Sequence, residues 1–302
     1  MSKDATNMNN TIFSINEWDP LKSVVVGSAT CANKPAGCHF EQPGPVEQEV
    51  INLANRDLDF FAHILKDLGV TVYRPIDNDF VDTKGYYNYC PRDRLLIVGD
   101  TVIDCNMQYD CREQEIKFLP MVTENAKRII KVPRQDDLRF DAANVLRVND
   151  TLLYLESVSG TPKGAEWLQE QFPNLTVETT RTYGGVHIDS TFTPVCDGLV
   201  VVNKDRVDPM SLPKCFSGWD VIWLGNEDLV TKQYQTESMA SNYIQLNFFM
   251  VRPDCAILDN TPKLVKELVD RGIYVVVVPF SQSRTLGGGH HCVTLDLHRS
   301  KE

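Results

Sequence analysis

Apolar positions along the chain change period several times, and each change marks an element. Between 46 and 68, Val50, Ala54, Leu58, Phe61, Leu65 and Leu68 recur every three or four residues, and the run ends at Gly69. That spacing predicts an amphipathic helix closed by a glycine just past its end. SVVVG at 23–27 is a short apolar run that suits a buried strand, and VTVYRP at 70–75 is β-branched and stopped by a proline. Paired strand-like runs follow. RLLIVG and TVIDC flank Gly99-Asp100, VLRV and TLLYLE flank Asn149-Asp150, and HIDSTFTPVCDGLVVVN (187–203) turns at Asp197-Gly198. QLNFFMV and CAILD make a fourth pair over 245–259. Each pair reads as a hairpin.

Helical and strand runs return after these hairpins. TPKGAEWLQEQF reads as a helix leading to the strand NLTVET, and TPKLVKELVDRG, opened by Thr-Pro and closed by Gly272, leads to YVVVVP. With the start of the chain, roughly five hairpin, helix, strand units emerge, with little identity between them. No Pro/Ser-rich linker or low-complexity tract divides them, which favours a single domain over residues 1–302, with 1–12 loosely held. An ordinary two-domain α+β protein fits the pattern equally well.

Composition narrows the classes. The 302 residues are 42% hydrophobic, enough for a continuous core, and the formal net charge is −11 with no basic block. That balance disfavours nucleic acid and anionic membranes as partners and suits a cationic or zwitterionic small ligand. Nine cysteines, an odd count without a C-x-x-C pair, argue against a disulfide framework. The N-terminus MSKDATNMNN lacks a basic and then apolar leader, and IYVVVVPF (273–280) is too short to span a bilayer, so the expectation is a reducing cytoplasm.

Candidate chemistry sits at element edges. In GGGHHCVTLDLHR (287–299), three glycines precede two histidines and a cysteine, and the alternation of Val293, Leu295 and Leu297 says the chain then becomes a strand. Glycines let backbone approach a ligand closely or adopt positive φ, and a strand gives the Cys292 sulfur a rigid base. Cys292 therefore reads as a nucleophile or a metal ligand. If the segment is extended, at most His290 and Cys292 could share an ion, and with His187 and Asp189 the spacing matches no compact zinc signature. His187 and Asp189, two apart, would face the same side of a strand. Asp93 and Asp141 each lie just before a predicted strand, where binding residues and turn or cap aspartates both occur.

The ordered set NEWDPLKSVVVG, PRD before an apolar strand, FDAANVLR, HIDSTF, NKDR and LGGGHHCVTLD resembles the amidinotransferase family of the guanidino-group-modifying superfamily, from about Asn16 to Arg299. The resemblance implies a five-bladed α/β propeller of ββαβ modules with pseudo-fivefold symmetry. It implies Cys292 as nucleophile, His187 as general acid/base and Asp141 as the carboxylate that orients the histidine. Asp93 and Asp189 would grip the donor's guanidinium, Arg206 its α-carboxylate, and Ser241 would add a further donor contact. It also implies arginine as donor, an amine acceptor, no cofactor, no metal and a homodimer. Glycine is the first expectation for the acceptor, giving ornithine and guanidinoacetate. Lysine, ornithine or an amino sugar are the alternatives, because Tyr183, Gly184, Gly185 and Val186, which the resemblance puts on the acceptor side, are smaller and less polar than expected of the glycine-using members. The rival classes are an arginine deiminase-like or dimethylarginine hydrolase-like enzyme and a non-catalytic arginine-binding protein.

Overall fold

The structure, a computed structural model, describes residues 11–30, 46–76, 88–108, 112–230 and 239–300. The apolar run at 23–27 lies in β1 (Leu21–Val26), and the periodic segment after it is α1 (Gln48–Asp67). Val50, Ala54, Leu58, Phe61 and Leu65 form the buried face of α1, as the spacing predicts. The helix ends because Gly69 takes a φ of 84° while its amide donates to Lys66 O and that of Val70 to Leu65 O. Those two bonds satisfy carbonyls the helix leaves open. The chain is thereby delivered into β2 (Thr71–Tyr73), parallel to β1.

Four further units repeat one plan. In the second, α2 (Pro91–Arg94) leads into β3 (Leu95–Val98), antiparallel to β4 (Thr101–Asp104), and α3 (Pro120–Thr123) leads to β5 (Arg128–Lys131), parallel to β4. The third has β6 (Val145–Val148), β7 (Thr151–Leu155), α4 (Pro162–Gln171) and β8 (Thr176–Thr180). The fourth has β9 (Phe192–Cys196), β10 (Leu199–Asn203) and β11 (Asp220–Leu224), joined by 3-10 turns in place of the helix. The fifth has β12 (Phe249–Arg252), β13 (Cys255–Leu258), α5 (Pro262–Val269) and β14 (Tyr274–Val277). The predicted hairpin turns fall at Gly99, Asn149 and Gly198, all at positive φ, the region that glycine and asparagine tolerate.

Among the described residues five three-stranded sheets form, and each has an antiparallel pair followed by a parallel third strand. Among these residues the first unit has no hairpin of its own. Its missing strand comes from the other end of the chain: after α6 (Ser283–Leu286), β15 (Thr294–Arg299) pairs antiparallel with β1, from Leu21 opposite Arg299 to Val26 opposite Thr294. Joining the two chain ends in one sheet closes the ring, and the architecture is a five-bladed α/β propeller with pseudo-fivefold symmetry.

The entry strands β3, β6, β12 and β15 meet around a buried lattice of charge. Arg147 on β6 contacts Glu17 and Asp296, each at 2.7 Å, and its guanidinium also donates to Ile97 O of β3. Arg299 on β15 reaches Asp296 at 2.7 Å and donates to Met250 O on β12, while Arg92 pairs with Asp296. Glu17 and Asp296 are held well below the ordinary carboxylate range: burial alone would raise them, and the surrounding arginines overcome it. Each acid faces more than one cation, which is the arrangement that makes buried charge tolerable.

Two local expectations are corrected. His187 and Asp189 are not on a strand: His187 has a φ of 62°, and the amides of Thr191 and Phe192 both donate to Ile188 O, so 187–191 is a turn and β9 starts at Phe192. Likewise 290–293 is a turn, with Val293 N bonded to Gly289 O and Thr294 N to His291 O, and the strand begins at Thr294.

Candidate active site

Each blade brings a short segment to the start of its entry strand, and the chemistry-bearing residues are found there. Asp93 precedes β3, Asp141 precedes β6, His187 and Asp189 precede β9, Asn247 precedes β12 and Cys292 precedes β15. Six residues on five segments, scattered over about 200 residues of sequence, thereby converge, because the pseudo-symmetry places equivalent segments around one axis.

His187 is partly buried, with Nε2 3.0 Å from Asp141 Oδ2 and Nδ1 3.8 Å from Asp93 Oδ1. Asp141 is fixed in turn by the Gln108 amide, which donates to its other oxygen at 3.2 Å. Burial opposes charge on the imidazole, but the Asp93 and Asp141 carboxylates outweigh it and raise His187 from 6.5 to about 9. Asp93 Oδ2 accepts from Arg112 at 2.7 Å, and Arg112 also forks onto Glu115 at 2.8 and 2.9 Å. Asp93 Oδ1 is buried and has no hydrogen-bond partner among the described residues. A buried carboxylate oxygen in that state is an acceptor waiting for a donor.

Cys292 is buried, and its Sγ donates to Asp189 Oδ2 at 3.4 Å. A hydrogen bond with Cys90, burial and the Asp189 charge push the thiol well above its ordinary value. Burial would raise Asp189 as well, yet His291, bonded to Oδ2 through Nδ1 at 2.9 Å, holds it down to about 2. The resting site therefore has a neutral thiol, an imidazolium at His187 and an ionised Asp189. Asn247 joins the two loops: its Oδ1 accepts from the Cys292 amide at 3.0 Å, and its Nδ2 donates to Asp189 O at 3.2 Å.

The glycine run allows this packing. Gly287 alone of the three has positive φ, at 76°. A Cβ on Gly288 would lie 2.5 Å from Cys90 Sγ, and one on Gly289 would lie 2.7 Å from Asn247 Oδ1. Of the two histidines, His291 and not His290 faces Asp189, because the turn replaces the extended alternation. His290 instead stacks on Phe280 at 4.0 Å and sits 2.8 Å from Val278 O in the core.

Arg206 lies beside the same turn, donating to Ser190 Oγ at 2.9 Å and Thr191 Oγ1 at 3.0 Å, with its guanidinium over the rings of Tyr183 and Tyr243. Ser241 is exposed at the start of a 3-10 turn, Asn242–Leu246, and among the described residues no hydrogen bond joins its side chain to the cluster. Sequence reasoning singled out Cys292, His187, Asp141, Asp93 and Asp189, but not Asn247, Cys90 or Glu17. Asn247 falls inside the run QLNFFMV read as a strand, and its place just before β12 is seen only in the structure. Cys31, Cys38 and Cys111 lie outside the described residues. Among the described residues no group of histidine, cysteine and acidic side chains is arranged to hold a metal ion.

A closed ring of ββαβ units whose entry segments gather a thiol, an imidazole and several carboxylates defines a protein of the guanidino-group-modifying propeller class. No protein-family model matches the chain. It is 34% identical to inosamine-phosphate amidinotransferase 1 of Streptomyces griseus over 94% of this chain and 96% of that protein. The solved structure of the inosamine-phosphate amidinotransferase StrB1 from the same organism superposes with a TM-score of 0.84 at 32% identity, covering 96% of this chain and 97% of that one. Identity to the mitochondrial glycine amidinotransferase of Xenopus tropicalis is 26%, over 95% of this chain and 83% of that protein. The chain belongs to the amidinotransferase family, and it is an amidino-group-transferring enzyme.

Proposed function

We propose that the enzyme takes the amidino group of L-arginine onto Cys292 and passes it to a primary amine larger than glycine, of the amino-sugar or aminocyclitol class. The observation that supports the donor half is the cluster itself: a buried thiol between carboxylates, one of which presents an unpartnered oxygen. A guanidinium is a planar, delocalised cation whose carbon is a poor electrophile. Asp93 and Asp189 fix its plane by charge-assisted hydrogen bonds while the sulfur approaches from one face. The cation entering beside Cys292 offsets the Asp189 charge, which together with the Cys90 hydrogen bond and burial keeps the thiol neutral, so the thiol proton leaves to solvent as arginine binds.

Thiolate attack on the guanidinium carbon gives a neutral tetrahedral adduct. The protonated His187 then gives its proton to the departing nitrogen, the C–N bond breaks, and ornithine leaves an amidino cation on sulfur. Neutral His187 next takes a proton from the incoming ammonium and is again an imidazolium; the freed amine attacks the amidino carbon, its second proton passes to the sulfur, the C–S bond breaks with Cys292 leaving as the thiol, and the guanidinium product departs. Arg206, with its guanidinium held over two rings beside the Asp189 turn, is assigned to the arginine α-carboxylate. Ser241 would join the donor site only through a rearrangement of its exposed turn.

The acceptor assignment replaces glycine, the first expectation from sequence. Identity is higher to the inosamine-phosphate enzyme, at 34%, than to the glycine enzyme, at 26%, and this supports a ring amine over glycine. The test is incubation with guanidino-labelled arginine and a panel containing glycine, lysine, amino sugars and aminocyclitols, with products read by mass spectrometry. Label transferred to a ring amine in preference to glycine supports the proposal. Guanidinoacetate as main product overturns the acceptor, and labelled citrulline formed without any amine overturns transfer itself.

A further inference from the structure

His291 carries the site in a way that the donor mechanism above does not use. Its ring lies between two carboxylates, with Nδ1 2.9 Å from Asp189 Oδ2 and Nε2 3.2 Å from Glu17 Oε2. Ionised carboxylates only accept hydrogen bonds, so both ring nitrogens face acceptors that a ring N–H can meet. Its backbone is held as well: Arg92 Nε donates to His291 O at 2.8 Å, and the His291 amide meets Asn247 O at 3.3 Å. Glu17 and Arg92 belong to the central lattice with Arg147 and Asp296. Through His291, therefore, a carboxylate at the thiol is tied to the charged centre that closes the ring.

This geometry repeats the one at His187, where an imidazole also lies between two carboxylates, Asp141 and Asp93. The two histidines differ in burial. His187 is partly open to the site and shares no atom with the lattice, whereas His291 is buried and has both nitrogens committed. We propose that His291 is the positioning residue of the donor site: it orients Asp189 for the guanidinium and anchors that carboxylate, through Glu17, on the central lattice. The proposal rests on the arginine reading for its consequence and on the geometry for its mechanism. Without His291, the Asp189 carboxylate would lose the largest of the hydrogen bonds that hold it, keeping those from Asn247 and the Cys292 thiol, so a cationic ligand would meet a less firmly oriented partner.

Two isosteric variants separate the ring's two contacts. The amide nitrogen of His291→Asn takes the place of Nδ1 and keeps the bond to Asp189; that of His291→Gln takes the place of Nε2 and keeps the bond to Glu17. Each is compared with wild type for its thermal transition, for KM and kcat of ornithine release from arginine, and for the rate at which Cys292 is alkylated by chloroacetamidine relative to the neutral chloroacetamide. The last ratio reports how well the carboxylates hold a planar cation over the sulfur and needs no transfer. The expected result is a ratio within about threefold of wild type for His291→Asn and a loss of about ten- to a hundredfold for His291→Gln, the scale of one hydrogen bond to a charged group. KM for arginine should follow the ratio, with kcat changing less.

Equal ratios in wild type and both variants overturn the proposal, as does an equal loss in both, which would mark a packing role only. If neither histidine variant folds, Glu17→Gln retains an acceptor for Nε2 without its charge; a ratio reduced by about threefold supports anchoring, and an unchanged ratio overturns it. If wild type releases no ornithine, the arginine reading fails while the alkylation ratio still decides the role of His291.

Discussion

At the scale of single residues, the site depends on where protons rest before substrate arrives. His187 is raised from 6.5 to about 9, so the folded state binds this proton more tightly than the unfolded chain does. Its contribution to stability is whole below pH 6.5 and is lost as pH climbs through 9. In the proposed reaction the same proton is given to the leaving amine, so kcat/KM for arginine should fall on the alkaline side near pH 9. Asp141→Asn removes one of the charges that raise the histidine. It is expected to move that limb to lower pH and to slow ornithine release by ~10²–10⁴-fold, the usual worth of general acid/base help; a pH–rate profile of both proteins checks this. Cys292, His187, Asp141, Asp93 and Asp189 were legible because each sits in a short motif at an element edge. Asn247 and Glu17 were not, since their contacts to the Cys292 loop span 45 and 274 residues and arise only when blades meet.

At the scale of elements, hairpins and helices were readable where a turn residue fixes the backbone. Gly99, Asn149 and Gly198 mark three hairpins, and Gly69 and Gly272 close two helices, all at positive φ. Apolar alternation does not extend β9 and β15 backwards, and they begin only at Phe192 and Thr294. HIDST and HHCV belong to turns, because backbone bonds to Ile188 and to Gly289 and His291 curl the chain just before β9 and β15. The glycine run was correctly singled out, but two of its three members are needed for space rather than for φ. Gly289→Ala places a methyl 2.7 Å from Asn247 Oδ1 and 2.8 Å from Asn247 O. It is expected to cost about 1–3 kcal/mol through overpacking, measured by urea unfolding, and to lower kcat because Asn247 holds the Cys292 amide.

At the scale of the whole molecule, the ring and the site are one construction. Sequence gave roughly five units but could not show that the first is completed by the last strand, since pairing between β1 and β15 leaves no local trace. Asp296 is the hub of the closure, with Arg92, Arg147 and Arg299 around it. Asp296→Ala leaves those buried cations short of a counter-charge and should cost about 3–5 kcal/mol, the scale for breaking a buried pair, read as a lowered denaturation midpoint. Glu17 and Asp296 both titrate below their ordinary values in the folded state. The stability they confer is full above the ordinary carboxylate range and is lost as pH falls through and below it, which acid titration of the fold would show. The central claim is that this convergence makes Cys292 the carrier of the amidino group. Intact-protein mass spectrometry after mixing with arginine, in the absence of an amine, tests it most directly. The account predicts one amidino group added per chain, absent in Cys292→Ser and discharged when an acceptor amine is supplied; arginine turned over with no adduct, or with the adduct on another residue, would contradict it.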